Sequence, residues 1–309
     1  MFKTLFMCGV IPLSSLLLTA LPAIAATIPV TESDRLQTAT SSVEAQLSYT
    51  RDSASGILSD FRVRINRNNQ ASQEFRFPSH GELYGLPISR SEYGASVSGT
   101  AADVKVLDLD ANGEPEVLVD LADPGLARAD CNASSFIYQF NRDRQQYTAT
   151  SHVWGNCSSS YWQANGGSRE LMDLNGDRTL EFVARDGRFL REFTGYANRT
   201  APIQIWRYQQ GRMVDVTRAF PDRVYQNAYT LWNNYRQIRS RSGAQAARAP
   251  MAAYVGAKFL LGQREDAMQR LRQAYPGQAD RAFVEQVADF MLHTGYYAPQ
   301  SPPRSNSSN

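Results

Sequence analysis

The sequence predicts a mainly β protein with an α-helical C-terminal region. The β part is built from propeller-blade-like antiparallel β repeats forming an incomplete propeller, and the helices form a bundle or cap. Three observations predict it. Apolar and polar residues alternate with a period of two in short runs across residues 43–216. Two acidic loops of equal spacing, residues 108–116 and 173–181, interrupt those runs. Beyond Pro221 the apolar period lengthens to that of a helix.

The elements follow in chain order. Residues 1–25 read as a cleaved secretory signal peptide: Lys3 supplies the positive end, an apolar stretch follows, and Ala23 and Ala25 offer the small residues a signal peptidase requires. The alternative, a transmembrane anchor, is interrupted by Pro12, Ser14, Ser15, Thr19 and Pro22. The expected location is therefore periplasmic or secreted, with no transmembrane segment after cleavage. Cys8 leaves with the leader. Cys131 and Cys157 remain, a pair that an oxidising compartment would join in a disulfide, the alternative being two free buried cysteines.

Residues 26–100 read as an N-terminal β region with loops. After a polar start, Val43, Ala45, Leu47 and Tyr49 alternate with polar residues, as do Phe61, Val63 and Ile65, then Phe75 and Phe77. Residues 78–100 are rich in Gly, Ser and Pro and read as loops. Residues 101–220 hold two copies of a four-segment unit. The first runs from Val104 and Val106 through the loop to Val117 and Val119, then Phe136 to Phe140, a turn at Asn141, and Tyr147 to Thr150. The second runs from Leu171 through its loop to Phe182, then Ile203 to Tyr208, a turn at Gly211, and Met213 to Val216. The same order in four segments is the mark of an internal repeat.

Residues 221–298 read as helical. Val224, Ala228, Leu231, Tyr235 and Ile238 form one helix face, residues 240–249 a linker, and Pro250 opens the next helix. Ala267, Met268 and Leu271 mark a third helix, and Asp280 stands where it would cap a fourth. Residues 252–275 are similar to one helix pair of a TPR-like array, for which a helical cap on the β region is the simpler reading. Residues 299–309 are a polar, Pro/Ser-rich tail, expected to be disordered.

The formal net charge of +2 leaves no global field for nucleic acid. Acids outnumber bases 14 to 7 over residues 103–186, whereas bases outnumber acids 11 to 6 over residues 222–309. The acidic half is thus where a cation would be held.

Calcium takes six to eight oxygens, and a short loop supplies several when alternate side chains turn inward. In the first loop Asp108, Asp110, Asn112 and Glu116 occupy positions 1, 3, 5 and 9, and Glu114 at position 7 offers its carbonyl. Gly113 at position 6 permits the sharp turn. In the second loop the same places fall to Asp173, Asn175, Asp177 and Glu181, with Thr179 at position 7 and Arg178, not glycine, at position 6. The expected cofactor is structural Ca2+, at the first loop and more weakly at the second. A bare turn made by Asp, Asn and Gly is the alternative at each loop. An EF-hand is excluded, because Val119 and Ala184 stand where its twelfth-position acid belongs.

On these residues, Asp108-Leu109-Asp110-Ala111-Asn112-Gly113-Glu114-Pro115-Glu116 and the copy from Asp173, the chain resembles the FG-GAP-like or VCBS-like repeats of the integrin-alpha β-propeller and of many exported bacterial proteins. The resemblance covers residues 100–220 and implies blades braced by calcium that is seldom catalytic. Both copies carry Glu where that family more often has Asp at the last ligand position. The overall pattern is also similar to uncharacterised exported proteins of cyanobacteria, which implies no activity.

Enzyme signatures are sparse. His80, His152 and His293 lack metallohydrolase spacing, and residues 94–99 lack the register of a nucleophile elbow. A secreted or periplasmic hydrolase acting on glycans through Glu116 or Glu181 is the alternative function. Trp154, Tyr161 and Trp162 stand in loop-like sequence where aromatic faces would meet a sugar or a protein, while Tyr138 and Trp206 read as core. Arg236, Arg239, Arg241 and Arg248 form a basic stretch open to an acidic polymer or simply to solvent. The function expected is that of an exported calcium-binding β-repeat protein, a non-enzymatic structural, adhesive or ligand-binding module. Its partner would be a protein or glycan outside the cytoplasm, not nucleic acid.

Overall fold

A computed structural model describes residues 27–53, 58–68, 70–77, 102–123, 132–156, 161, 171–193 and 200–297. The leader, residues 78–100, the C-terminal tail, His80 and Trp162 lie outside the described residues. Three four-stranded antiparallel meanders follow one another. The first holds β1 (Thr27–Gln37), β2 (Ser42–Asp52), β3 (Leu58–Arg67) and β4 (Gln73–Arg76) in the order β1-β2-β3-β4. The second holds β5 (Ala102–Leu107), β6 (Glu116–Asp123), β7 (Asn132–Asn141) and β8 (Gln146–Asn156), again in chain order. The third holds β9 (Leu171–Met172), β10 (Glu181–Arg185), β11 (Ile203–Gln209) and β12 (Arg212–Asp215), with a short helix α1 (Gly187–Glu192) between β10 and β11. Among the described residues these sheets form no closed propeller.

The sheets stack, and the sequence pattern shows why. Val43, Ala45, Leu47, Val63 and Ile65 of the first sheet share one core with Val104, Val106, Val117, Val119, Phe136 and Tyr138 of the second. The opposite face of the second sheet sends Leu118, Ile137 and Trp154 into another core with Phe182, Ala184 and Tyr208 of the third. A sheet buried on both faces needs apolar residues at successive positions, which is why Val117, Leu118 and Val119 run together where β2 and β3 alternate. A third core joins Phe189, Ala201 and Ile203 to the helices α2 (Pro221–Ala246), α3 (Arg248–Leu260), α4 (Arg264–Ala274) and α5 (Arg281–His293). The mixed β and α architecture with a C-terminal helical region is thus as expected. Among the described residues, no helix is long and apolar enough to cross a membrane.

Several expectations are corrected. The polar N-terminal segment is a strand, β1, paired with β2 along its whole length from Thr27↔Asp52 to Gln37↔Ser42. As an edge strand it needs no strong apolar alternation, and its Asp34 carboxylate accepts from the Val106 amide at 2.9 Å. Residues 240–249 are not a linker. The helix runs on to Ala246, bends where Gly243 takes φ +84°, and gives way to α3, with Ala247 in the helical core and Ala249 also buried. Asp280 makes no side-chain cap; its carboxylate accepts from Arg248 Nη2 at 3.0 Å instead. The disulfide expectation is also withdrawn: no disulfide bond stands among the described residues, and Cys131 and Cys157 both lie outside them. Backbone pairing of β7 with β8, which reaches Asn132↔Asn156, already closes that segment.

Candidate metal centre

The first acidic loop joins β5 to β6. Leu109, at its second position, is fully buried and anchors it in the core between the second and third sheets. The turn is then written by side-chain acceptors. Asp108 Oδ2 accepts from the Gly113 amide at 3.0 Å, Asp110 Oδ1 from Asn112 at 3.3 Å, and Asn112 Oδ1 from Glu114 at 2.7 Å. Glu116 begins β6, where it is 0% exposed, and its Oε2 accepts from the Leu109 amide at 2.9 Å.

Three of the expected ligands converge. Asp108, Asp110 and Glu116 each bring a carboxylate oxygen within 4.8 Å of the others. Two buried oxygens there, Asp108 Oδ1 and Glu116 Oε1, have no hydrogen-bond partner. Burial pushes the Glu116 carboxyl up to about 8, and the charges of Asp110 and Asp108 push it the same way. Burial, and then the charge of Asp108, also raises Asp110 against the hydrogen bonds it accepts. An orphaned, buried carboxylate oxygen is costly unless a cation meets it. All-oxygen donors favour a hard divalent ion, so these three carboxylates fit a metal ion of that class.

The Glu114 side chain turns away. It takes Arg67 Nε and Nη2 at 2.9 and 2.8 Å and Arg142 Nη2 at 3.3 Å; although burial opposes it, these guanidinium groups hold Glu114 below the usual carboxylate range. Position 7 therefore has only its carbonyl to offer. The loop backbone is tied on both sides. The Gly113 carbonyl accepts from Thr38 and Thr40 of the first sheet's β1–β2 turn, each at 3.1 Å, and the Leu109 carbonyl accepts from the Leu180 amide of the second loop at 3.0 Å.

The second loop joins β9 to β10 and repeats the backbone plan. Glu181, also fully buried, begins its strand, and its Oε2 accepts from the Leu174 amide at 2.8 Å, as Glu116 does from Leu109. Both loops take left-handed backbone at positions 4 and 6: Ala111 and Gly113 in the first, Gly176 and Arg178 in the second. The glycine has changed places between the copies. Asp173 accepts from the amides of Asn175, Gly176 and Arg178 at 3.2, 2.7 and 2.8 Å, and Asp177 from Asn175 Nδ2 and the Thr179 amide, both at 2.9 Å. Arg207 of β11, paired with Glu181 in the ladder, donates from Nε to Glu181 Oε1 at 2.7 Å; its Nη2 meets the same oxygen and lies 3.1 Å from Asp177 Oδ2.

The arginines at positions 67, 142 and 207 escaped sequence reasoning, because their partners are fixed only by strand register and sheet stacking. Of the aromatic residues expected at a binding surface, the two that lie among the described residues, Trp154 and Tyr161, are core. Tyr161 is 0% and Trp154 6% exposed, against Phe182, and Trp154 Nε1 donates to Ser135 Oγ at 2.7 Å. Ser135 and Tyr161 in turn both donate to the buried Asp120, which burial, opposed by those two bonds, raises to about 7. His152 packs on the rings of Trp154 and Trp206.

No family model matches the chain. Over 118 residues it is 34% identical to a probable thylakoid lumen protein of the cyanobacterium Synechocystis, a match covering 38% of this chain and 34% of that protein. Over 163 residues it is 24% identical to an uncharacterized protein of Sinorhizobium fredii, covering 44% of this chain and 25% of that one. The chain thus spans about a third or less of the length of these curated relatives. No solved structure matches. The relationship these comparisons support is a distant one, to a cyanobacterial protein.

Proposed function

We propose that the chain is an exported, calcium-braced β-repeat protein, a non-enzymatic structural or ligand-binding module whose first acidic loop holds the ion. The observation that carries this reading is the pair of buried, unpartnered oxygens, Asp108 Oδ1 and Glu116 Oε1, beside Asp110. Asp108, Asp110 and Glu116 would hold the ion through side chains, with the Asn112 side chain and the Glu114 carbonyl as the remaining donors of the FG-GAP-like pattern. Calcium there would supply the positive charge that three clustered carboxylates lack. Because Gly113 and Leu109 of the same loop bond to the first sheet and to the second loop, fixing the loop also fixes the stack. An exported location agrees with the leader at residues 1–25 and with the lumenal description of the Synechocystis relative.

A ligand that binds only the folded state stabilises it by about 2.7 kcal/mol at a hundredfold excess over Kd. Thermal unfolding of the protein in millimolar calcium and in chelator tests the reading. A melting temperature that rises with calcium in the wild type, and does not in the Asp108→Ala, Asp110→Ala double variant, is the expected result. A wild type indifferent to both calcium and chelator overturns it.

A further inference from the structure

The two loops have the same backbone plan, and each has acids at positions 1 and 9 and a third at position 3 or 5, yet their electrostatics differ. Glu181 stands opposite Arg207 across β10 and β11. In the second sheet the β6–β7 ladder begins at Val117 opposite Tyr138, and continuing that antiparallel register by one step toward the loop brings Gln139 to the place across from Glu116. The strand residue that faces the buried glutamate is thus a cation in one repeat and a neutral amide in the other. The acids follow the same division. Position 5 is Asp177 in the second loop, where Arg207 Nη2 lies 3.1 Å away, and Asn112 in the first. Position 3 is Asn175 in the second loop and Asp110, beside Asp108 and Glu116, in the first. Gln139 brings its Oε1 to the hydroxyl of Tyr208 at 3.3 Å, an oxygen turned to a donor of the third sheet and no source of charge.

From this contrast we infer that Arg207 is a tethered cation occupying the ion's place in the second loop, and that Gln139 is what leaves the first loop to a divalent ion. Arg207 meets Glu181 Oε1 and Asp177 Oδ2 at once, while both oxygens of Asp173 are taken by backbone amides. A calcium ion would have to displace a guanidinium that is four-fifths buried and attached to its own sheet. Asp173, Asn175, Asp177, Thr179 and Glu181, which the spacing marks as ligands, therefore form a turn closed by an internal ion pair. Of the two loops only the first then takes calcium, and the residue on the neighbouring strand decides which. The first-loop half of this inference rests on the calcium reading above; the second-loop half stands on the Arg207 geometry.

Calcium titration of the full chain by calorimetry, started from chelator-stripped protein, tests both halves. Wild type should bind one ion, Arg207→Gln two, and Gln139→Arg none. The Gln139→Arg variant should also melt at a temperature that no longer responds to calcium, a readout that survives if Arg207→Gln folds only with calcium present. Two ions on wild type, one on Arg207→Gln, or one retained by Gln139→Arg overturns the inference while leaving calcium binding intact. No ion on wild type sinks the calcium reading; the arginine assignment then stands if Arg207→Gln gains one ion and falls if it does not.

Discussion

Arg67 at the end of β3 and Glu114 at the tip of the first acidic loop are joined at two points, Nε to Oε1 at 2.9 Å and Nη2 to Oε2 at 2.8 Å. The guanidinium also lies over the Phe140 ring, 4.2 Å from its centroid, so one side chain ties the first sheet to both the loop and the face of the second. Both partners are largely shielded from water, which makes the pair a fixed joint and not a surface ornament.

Removing one partner of a shielded pair leaves the other charge uncompensated, at a cost of about 3 kcal/mol. Arg67→Met should lower the urea midpoint by a corresponding amount, with Arg142 at 3.3 Å too exposed to replace it. Arg67→Lys should recover little, because a single ammonium cannot make the two-point contact or the stacking. A midpoint unchanged by either substitution would show that the pair behaves as a solvated one.

Left-handed backbone costs a non-glycine residue about 1 kcal/mol or more. Ala111 at φ +57° and Arg178 at φ +72° carry that strain, so Ala111→Gly and Arg178→Gly should each stabilise the protein by about 1 kcal/mol. Gly113→Ala should do the reverse, and through backbone strain alone, since an added Cβ would meet nothing within 4 Å. Denaturant melts of the three variants check the signs together.

His152 is a half-buried histidine packed between the rings of Trp154 and Trp206. Burial lowers it to about 4 from an ordinary 6.5, with the charge of Asp215 acting the other way. Between those values the unfolded chain takes up a proton that the folded chain refuses, so this stability is complete above pH 6.5 and is lost as pH falls toward 4. At about 1.4 kcal/mol per pH unit the loss approaches about 3 kcal/mol. His152→Phe keeps a ring against Trp154 and Trp206 and should be the less acid-sensitive protein. Urea midpoints at pH 7 and pH 4.5 that shift equally in the two proteins would refute this.

The helical layer is seated on Phe189. A Cβ added at Gly256 of α3 would lie 2.6 Å from Phe189 Cζ, and that ring is held by Phe290 and Tyr296. Gly→Ala in a helix ordinarily gains about 1 kcal/mol, whereas overpacking costs about 1–3 kcal/mol. Gly256→Ala should therefore lower the melting temperature, and a rise would mean that the Phe189 ring can move aside.

Much of this was readable in order along the chain. Period-two alternation marked β2, β3 and β4, and the change of period marked α2, because each buries one face and the burial imposes its own spacing. The acidic loops were legible because turn chemistry and ligand chemistry both select Asp, Asn and Gly at fixed positions. Edge strand β1 was not, since half-exposed polar residues serve there, nor was the continuation of α2 through residues 240–246, where Ala244 packs on the helical core within a composition that reads as linker.

By itself the sequence determined the β-rich first part, the helical C-terminal region and the placing of carboxylates at positions 1, 3 or 5, and 9 of two loops. Those features are local, written in residues a few positions apart. Only the tertiary structure decided that Glu116 keeps an unpartnered oxygen while Glu181 meets Arg207, and that Trp154 and Tyr161 lie in a core between sheets. Residues 26 positions apart in sequence become neighbours through strand register, and a one-residue change of register would put Arg207 on the other face of its sheet. Compensation of a buried charge depends on that register, so the difference between two loops of equal spacing resides in the fold.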